Sequence, residues 1–398
     1  MGVSTLGQAL AQIQRIQTQQ ANLGDLTTQL ATGRRTQRFT GLETDVLTSQ
    51  RSRATFEALE AYQNNITNAT RRIELTQAAV QEFQAQARNF LNVIQGLPQE
   101  SANQEGEVLV YDDPTTSEVE VTQVGLSSAE PSVDLQIVTD FANNVFESFT
   151  ALLNVQDGDR FLLSGAATRD QPIADTGTLE ASLSSLIDRW KDGDISTDAL
   201  IADLSDRTTE NNPDALTDST VGFSQALANG EAGDIFVRAD ERLEVNYTTL
   251  ASEDAFRDIL VAVSYFKTEN LGPIVDAYIP PNTATPPFVP DVQGAPGETI
   301  DEQTDNFYAV VNSLATSVAK AVDDLDLISF ELATAQARIT EIGIRHEAEQ
   351  NFLQGVIADI ENADQNEVAL QLNNLITQLE TSFAVTARVQ ELSLVNFI

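Results

Sequence analysis

The chain has 398 residues, of which 41% are hydrophobic, and its 60 acidic and 22 basic side chains give a formal net charge of -38. The hydrophobic fraction supplies a core for about two or three domains, which excludes a disordered chain. The acidic excess opposes binding to nucleic acid and to anionic lipid, because both require clustered Lys and Arg. The absence of Cys excludes disulfides, thiolate chemistry and cysteine zinc sites.

The negative charge is concentrated in the middle of the chain. Residues 98–306 contain 40 acidic and 9 basic side chains, a net of -31, whereas residues 1–40 contain four Arg against Asp25, a net of +3. We therefore expect a solvated acidic surface in the middle, which serves solubility or a salty habitat. Specific cation binding by this surface is the alternative.

The first predicted helix covers residues 3–32 and ends at Gly33, a residue type that commonly follows a helix C-terminus. It has an apolar residue at nearly every third or fourth position, close to a heptad period. These positions are Leu6, Ala9, Ile13, Ile16, Leu23 and Leu30. The pattern predicts an amphipathic helix whose apolar face needs a partner outside its own segment.

The next predicted elements are long helices separated by a polar segment. A second helix is expected from about 44 to 94, where Gly96 and Pro98 stop it. Residues 119–124 alternate between apolar and other side chains, which predicts a short strand. A third helix is expected from a Ser cap at 132 to about 157.

Residues 170–300 mix short helices with strand-like pieces, after a predicted strand and turn at 160–165. The predicted helices of this region are 179–190, 197–205 and 253–267, and the strands are 235–237 and 243–248. Such a mixture is typical of a small inserted domain. Residues 280–298, which are rich in Pro and Gly, are predicted to be a loop or linker.

Helix is expected to resume near 301 and to run to about 361, before a break and a last helix. The apolar positions of this last helix are Val368, Leu372, Leu375, Leu379, Phe383 and Val389. A lone helix of this kind is marginal in water. We therefore expect the two terminal helices to be buried against each other, against copies of the same chain, or both. An ordinary two-stranded hairpin within a monomer is the alternative.

These patterns predict a mainly α fold with an α+β insertion, in which N- and C-terminal segments form a long antiparallel helical rod. Residues 1–40 and 362–398 are expected to be a terminal coiled-coil assembly domain. Residues 41–169 and 301–361 are expected to form the rod, and 170–300 an inserted acidic, surface-exposed domain. The predicted assembly residues are Leu6, Ile13, Ile16, Leu23, Leu30, Leu372, Leu375, Leu379, Phe383, Val389, Leu392 and Leu394.

Few residues suggest catalysis or metal binding. His346 with Glu347 begins the H-E-x-x-H zinc motif, but position 350 is Gln, so the metalloprotease interpretation fails and a solvated helix residue is predicted. Residues 192–198 resemble the start of a calcium loop, but the sixth position lacks Gly and the last is Asp203 rather than Glu. A turn followed by a helix cap is the preferred interpretation.

No phosphate-binding loop, dinucleotide fingerprint or G-x-S-x-G motif occurs in the chain. We therefore predict that the protein is not an enzyme and has no catalytic residues, cofactor or metal. The alternative is a ligand-binding or enzymatic module within 170–300, which requires a concave pocket with convergent polar groups.

Two terminal motifs resemble the flagellin family. Residues 29–35, Gln-Leu-Ala-Thr-Gly-Arg-Arg, are similar to the segment that closes the first helix in that family. The end of the chain, residues 379–398, is similar to the family's ending, a helix of aromatic and small residues that closes in Leu-Ser-Leu-Leu-Asn-Tyr-Leu. With the adjoining helices, the resemblance covers a little under half of the chain.

A third segment distinguishes members of the family. Residues 158–172 are similar to the corresponding segment of the members that join the hook to the filament, and 256–260, after a strand containing Tyr247, are similar to their inserted domain. Residues 39–45 depart from the segment that usually follows the first helix. The resemblance implies a structural subunit at the hook-filament junction, with a filament flagellin as the alternative.

The resemblance also implies location and partners. The start of the chain lacks the pattern of a secretory signal, and no stretch approaches the roughly 18 apolar residues of a membrane span. The family is exported by the flagellar type III pathway, so an extracellular flagellar protein without a cleavable signal peptide is expected. Its terminal helices would be poorly ordered in the monomer and form a coiled-coil tube on assembly. Expected partners are copies of itself in a ring or helix, hook-associated protein and flagellin, and an export chaperone.

Overall fold

Long helices dominate the computed structural model, which describes residues 2–101, 108–111, 120–123, 131–191, 194–268 and 300–395. Within these ranges, the strands form only two-stranded antiparallel sheets. The predicted fold class, mainly α with a small mixed α+β insertion, is confirmed. No helix in the described ranges combines the length and apolar character that crossing a membrane requires.

The helices, in chain order, are α1 (Gly2–Thr32), a 3-10 helix (Phe39–Asp45), α2 (Val46–Ser101), α3 (Pro131–Leu153), α4 (Gly177–Lys191), α5 (Thr197–Ser205), α6 (Asp218–Val221), α7 (Gln225–Ala228), α8 (Asp254–Lys267), α9 (Ile300–Glu361) and α10 (Gln365–Val395). The strands are β1 (Val108–Tyr111), β2 (Glu120–Gln123), β3 (Gln156–Asp157), β4 (Arg160–Phe161), β5 (Phe236–Asp240) and β6 (Leu243–Asn246). Each odd-numbered strand pairs with the strand that follows it.

The chain divides into two compact units. Unit 1 contains Met1–Asn64 and Ile342–Ile398, and unit 2 contains Asn65–Glu341, so both boundaries fall inside the long helices α2 and α9. This division differs from the three parts expected from the sequence, which remain a prediction.

In unit 1, residues 46–64 of α2 pack against residues 342–361 of α9. Gln63 donates a hydrogen bond to the carbonyl of Gly343 at 2.6 Å. The rings of Tyr62 and His346 stack with their centroids 5.8 Å apart. His346 is buried, so the prediction of a solvated histidine was wrong. Its position continues the buried series Ile339, Ile342 along one face of α9, and Tyr62 covers the ring.

Unit 2 is built around an aromatic core shared by α2, α3, α8 and α9. Phe83 of α2 stacks on Phe149 of α3 and meets Phe256 of α8 edge-on, at centroid distances of 4.0 and 5.1 Å. Gln84 donates to the carbonyl of Val322 on α9. Helix α8 is buried on nearly all faces, which explains its almost continuous apolar sequence.

The short helices of unit 2 are held to α8 by a buried arginine. Arg257 is fully buried and donates to the carbonyl oxygens of Ser205, Asp206 and Leu216. It also pairs with Asp258 at 3.1 Å. Because these carbonyls belong to the segment between α5 and α6, one side chain fixes that segment on the core. Burial lowers the pKa of Arg257.

Most predicted elements of the insertion are confirmed. Helix α5 has the predicted bounds, and the Ser196 hydroxyl accepts a hydrogen bond from the Ala199 amide as its N-cap. The turn-and-cap interpretation of the calcium-like segment is therefore confirmed for its described part, because residues 192–193 lie outside the described residues. In the described ranges, no three acidic or His side chains are arranged to hold a metal ion.

Some boundaries differ from expectation. Helix α2 continues through Gly96 and ends at Ser101 rather than near Ile94. Strands β1 and β3, the 3-10 helix and helices α6 and α7 were not predicted, and α3 ends at Leu153 rather than near residue 157. The predicted loop at 280–298 lies outside the described residues.

Candidate assembly interface

The two terminal helices of unit 1 pair with each other in antiparallel orientation. At one end, the Ala363 amide donates to the carbonyl of Gly33 at 2.9 Å. Toward the other end, the Gln12 side chain donates to the Thr386 hydroxyl at 2.8 Å. The expected burial of the two stripes against each other is thus present within one chain.

The pairing covers only part of the predicted assembly residues. Leu379 is buried, with 6% of its surface exposed, as is the neighbouring stripe residue Val368. Five others are half-buried, namely Ile16, Leu23, Leu30, Leu372 and Leu375. Ile13 and Phe383 remain exposed. The side chains of Leu6, Val389, Leu392 and Leu394 lie outside the described residues.

Four exposed apolar side chains of the terminal helices were not predicted. They are Leu10 of α1 and Leu370, Ile376 and Val385 of α10. With about 100° of rotation per residue, Leu370 lies about 180° and Val385 about 120° around the helix from the buried Leu379. They are 63% and 48% exposed. Helix α10 therefore has an inner apolar face that α1 covers in part, and two exposed apolar side chains on its other side, Leu370 and Val385, which we call the outer face.

The heptad spacing of the sequence identifies one apolar stripe on each terminal helix. The outer face does not follow that spacing, so it was not predicted. The sequence did contain a signal, because Leu370 and Val385 are separated by fifteen positions, which brings them within about 60° of each other on a helix. Asn374 lies between them in direction and is exposed as well.

A buried carboxylate fixes the turns from which the terminal helices leave. Glu361, the last residue of α9, accepts hydrogen bonds from Arg53 Nε at 2.7 Å, from Arg53 Nη2 at 2.5 Å and from the Ser49 hydroxyl at 2.6 Å. Its backbone carbonyl accepts from the Arg35 amide at 2.7 Å. We call Glu361, Arg53 and Ser49 the Glu361 clamp. It joins the turn after α1 and the turn before α10 to the start of α2.

The electrostatics of the clamp favour the ionised carboxylate. The hydrogen bonds from Arg53 lower the pKa of Glu361 from 4.5 to about 2, although burial acts in the opposite direction. The bond from Ser49 lowers this pKa further. The clamp is therefore fully charged at neutral pH.

Gly33 allows the turn after α1 to close on the clamp. Its φ of 68° is in the left-handed region, and its amide donates to the carbonyl of Gln29. A residue with a side chain is strained in this conformation, which explains Gly directly after the helix. The following bridge between Arg34 and Asn362 aligns the two turns.

Unit 2 contains the kind of hollow that the alternative prediction of a ligand-binding or enzymatic module requires. It has a volume of about 630 Å³ and lies beside α4. Its polar lining consists of Asp175, Thr178, Ser182, Ser185, Arg189, Asp214 and Thr220. Arg189 and Asp214 form an ion pair at 3.0 Å. Within the described part of the chain, no hydroxyl of this lining is hydrogen-bonded to a carboxylate, which is one arrangement that activates a nucleophile.

Comparison with known proteins finds a flagellin-like segment at the C-terminal end of the chain. Residues 315–398 match the model of the bacterial flagellin C-terminal helical region. A comparison with curated proteins gives no match. The chain is also similar to a solved structure from Vibrio parahaemolyticus described as a flagellar hook-associated protein, with 10% identity and a TM-score of 0.42. That match covers 80% of this chain and 97% of the other.

The matched segment contains the part of α9 that bears Glu361 and the whole of α10. The region that bears the outer face is therefore the region similar to the C-terminal helical region of bacterial flagellin.

Proposed function

We propose that this chain is a structural subunit of the bacterial flagellar axial structure and that it assembles with copies of itself through its terminal helices. The observation that carries the proposal is the outer face of α10, which remains exposed while α1 packs against part of the inner face. Its position in the flagellin-like segment supports a flagellar role rather than any other kind of assembly.

The exposed apolar area is of the right size for a subunit that needs several neighbours. The exposed parts of Leu10, Ile13, Leu370, Ile376, Phe383 and Val385 amount to roughly 500 Å², which corresponds to roughly 12 kcal/mol on complete burial. Association itself costs about 4–15 kcal/mol. One such contact therefore gives a weak dimer, whereas a tube in which each helix has several neighbours is favourable.

Replacement of the outer face tests this proposal. The double variant Leu370→Gln, Val385→Gln should keep the helical content of the wild type and raise the lowest concentration at which polymers sediment by about 10-fold or more. The matched control is Asn374→Gln, which changes a polar residue on the same side of α10 and should assemble like the wild type. Polymerisation of the double variant at the wild-type concentration would contradict the proposal.

Within the flagellum, we propose the hook-filament junction, the position of hook-associated protein 3. This finer assignment rests on the resemblance of residues 158–172 to the family members that join hook to filament. A flagellin of the filament itself is the alternative. Immunogold labelling of intact flagella distinguishes them, because a junction protein is labelled at one ring and a flagellin along the whole filament.

We further propose that the protein is extracellular, leaves the cell through the flagellar type III pathway with the help of an export chaperone, and contacts hook-associated protein and flagellin. The flagellin-like C-terminal segment supports this route. Inactivation of the flagellar export apparatus should abolish secretion of the protein into the medium and leave its synthesis unchanged. Continued secretion in that strain would refute the route.

A further inference from the structure

The hairpin of β5 and β6 in unit 2 has one strand edge that is open. The Tyr247 amide donates to the Ile235 carbonyl at 3.2 Å. In the same register, Asn246 lies opposite Phe236. Because hydrogen-bonded pairs alternate with non-hydrogen-bonded pairs in an antiparallel ladder, the amide and carbonyl groups of Asn246 point away from β5. In the described ranges, neither group has a hydrogen-bond partner. Strand β6 can therefore accept a further strand at this edge.

A groove of about 440 Å³ lies between the end of β6 and α9. Residues 245–249 form one wall, and residues of α9 between 330 and 338 form the other. On the α9 wall, Phe330 is 70% exposed, and Leu332 and Ala335 are buried and apolar. We call this hollow the β6 groove. Its five-residue wall spans roughly 16 Å at about 3.3 Å per residue, which is the length of a short extended segment.

Arginines outnumber carboxylates around the β6 groove. Arg338 and Glu331 belong to its lining. Burial raises the pKa of Tyr247, another lining residue, and the nearby charges of Arg72 and Arg160 act in the opposite direction. In the part of the chain that the structure describes, none of the three arginines is in an ion pair, and Nε and Nη2 of Arg72 have no acceptor. In a chain with a net charge of -38, such a site attracts acidic polypeptide.

We infer that the β6 groove binds an extended acidic segment of a partner protein, which adds a strand to β6. The backbone of the segment bonds to the open amide and carbonyl of Asn246. An apolar side chain of the segment packs on Phe330, and a carboxylate pairs with Arg338. An extended segment fits this edge better than a helix does, because a helix uses its own backbone groups internally. The contact goes beyond the proposed function, since it does not involve the terminal helices.

Two single variants separate the strand edge from the charge. Asn246→Pro removes an amide that points away from β5, so it blocks an added strand and retains the pairing of β5 with β6. Its matched control is Asn246→Ala, which retains the amide. Arg338→Glu reverses one charge of the groove, and its matched control is Arg169→Glu, at an exposed arginine outside the lining. All four variants should keep the circular dichroism of the wild type.

Fluorescence anisotropy measures the binding of a labelled ten-residue peptide of alternating Glu and Val to the full-length protein. The wild type and both controls should bind the peptide saturably. Asn246→Pro and Arg338→Glu should each weaken binding by about 10-fold or more, because the first removes a backbone bond and the second repels the peptide. Two control peptides should not bind the wild type. One has Lys in place of Glu, and the other has every backbone amide N-methylated.

Several results would overturn the inference. They are no binding of the Glu peptide to the wild type, equal binding of the Glu and Lys peptides, and equal binding of the N-methylated peptide. Unchanged binding by folded Asn246→Pro or by Arg338→Glu would do the same. If the Glu peptide dissolves preformed polymers, a second copy occupies the groove and a separate partner is excluded. Both variants should polymerise like the wild type, so a loss of peptide binding leaves the proposed function intact.

Discussion

Replacement of Glu361 by Gln changes one buried charge at the point where the terminal helices leave the rest of unit 1. The amide oxygen of Gln can still accept from Ser49, but the amide nitrogen would face Arg53, which has only donors to offer. The variant should therefore weaken the turns at Gly33 and Ala363 while the helices themselves persist.

The magnitude follows from the lowered pKa. A shift from 4.5 to about 2 corresponds to roughly 3 kcal/mol of differential interaction at about 1.4 kcal/mol per pH unit. The Glu361 side chain is 10% exposed but that of Arg53 is 38% exposed, so solvent screening reduces the expected loss to roughly 1–2 kcal/mol.

The pH dependence has a definite sign. Because the folded-state pKa is below the ordinary value, the contribution of the clamp is complete above about pH 4.5 and is lost as the pH falls toward 2. The difference in stability between the wild type and Glu361→Gln should therefore be largest at neutral pH and should disappear near pH 2.

Hydrogen exchange at single amides measures this effect where it occurs. The Arg35 and Ala363 amides, which donate across the clamp turns, should lose protection by about 5- to 30-fold in the variant at pH 7, after correction for intrinsic exchange rates. The control is Asp359→Asn, which removes an exposed carboxylate of α9 and should leave both amides unchanged. Unchanged protection in Glu361→Gln, or a difference from the wild type that persists at pH 2, would refute the reasoning.

Three further predictions follow from other parts of the chain. Deletion of residues 368–398 should leave a folded monomer that no longer polymerises, because α1 loses its partner and the outer face is gone; sedimentation of polymers by this truncation would contradict the scheme. Arg257→Lys should lower the free energy of unfolding of unit 2 by about 3 kcal/mol, because buried carbonyls lose their donors; thermal unfolding beside the exposed control Arg169→Lys measures it. An increase from about 10 to 150 mM salt should lower the critical concentration for assembly, because salt screens the repulsion between acidic copies. A yield of polymer that does not depend on salt would show that this repulsion does not limit assembly.

Local patterns were sufficient for the long helices, for most elements of the insertion and for one face of each terminal helix. The apolar spacing in residues 3–32 and the spacing of Val368, Leu372 and Leu379 predicted two amphipathic helices, because each helix records its own buried face in its sequence. The bounds of α5 followed from a Ser cap and a short apolar repeat, which are both local signals.

Local patterns could not predict contacts between segments that are far apart in the chain. The composition of the chain gave no sign that Glu361 would meet Arg53 and Ser49, since these partners lie some 300 positions away. His346 was taken for a solvated residue because its buried surroundings come from Tyr62 on another helix.

The sequence alone determined that both ends are helices with apolar surface in need of cover, because helical periodicity is a property of neighbouring residues. Only the tertiary structure decided how much of that surface α1 and α10 cover for each other and which face of α10 remains exposed. The physical reason is that a periodic pattern states which residues share a face, whereas burial depends on the segment that the fold brings against that face.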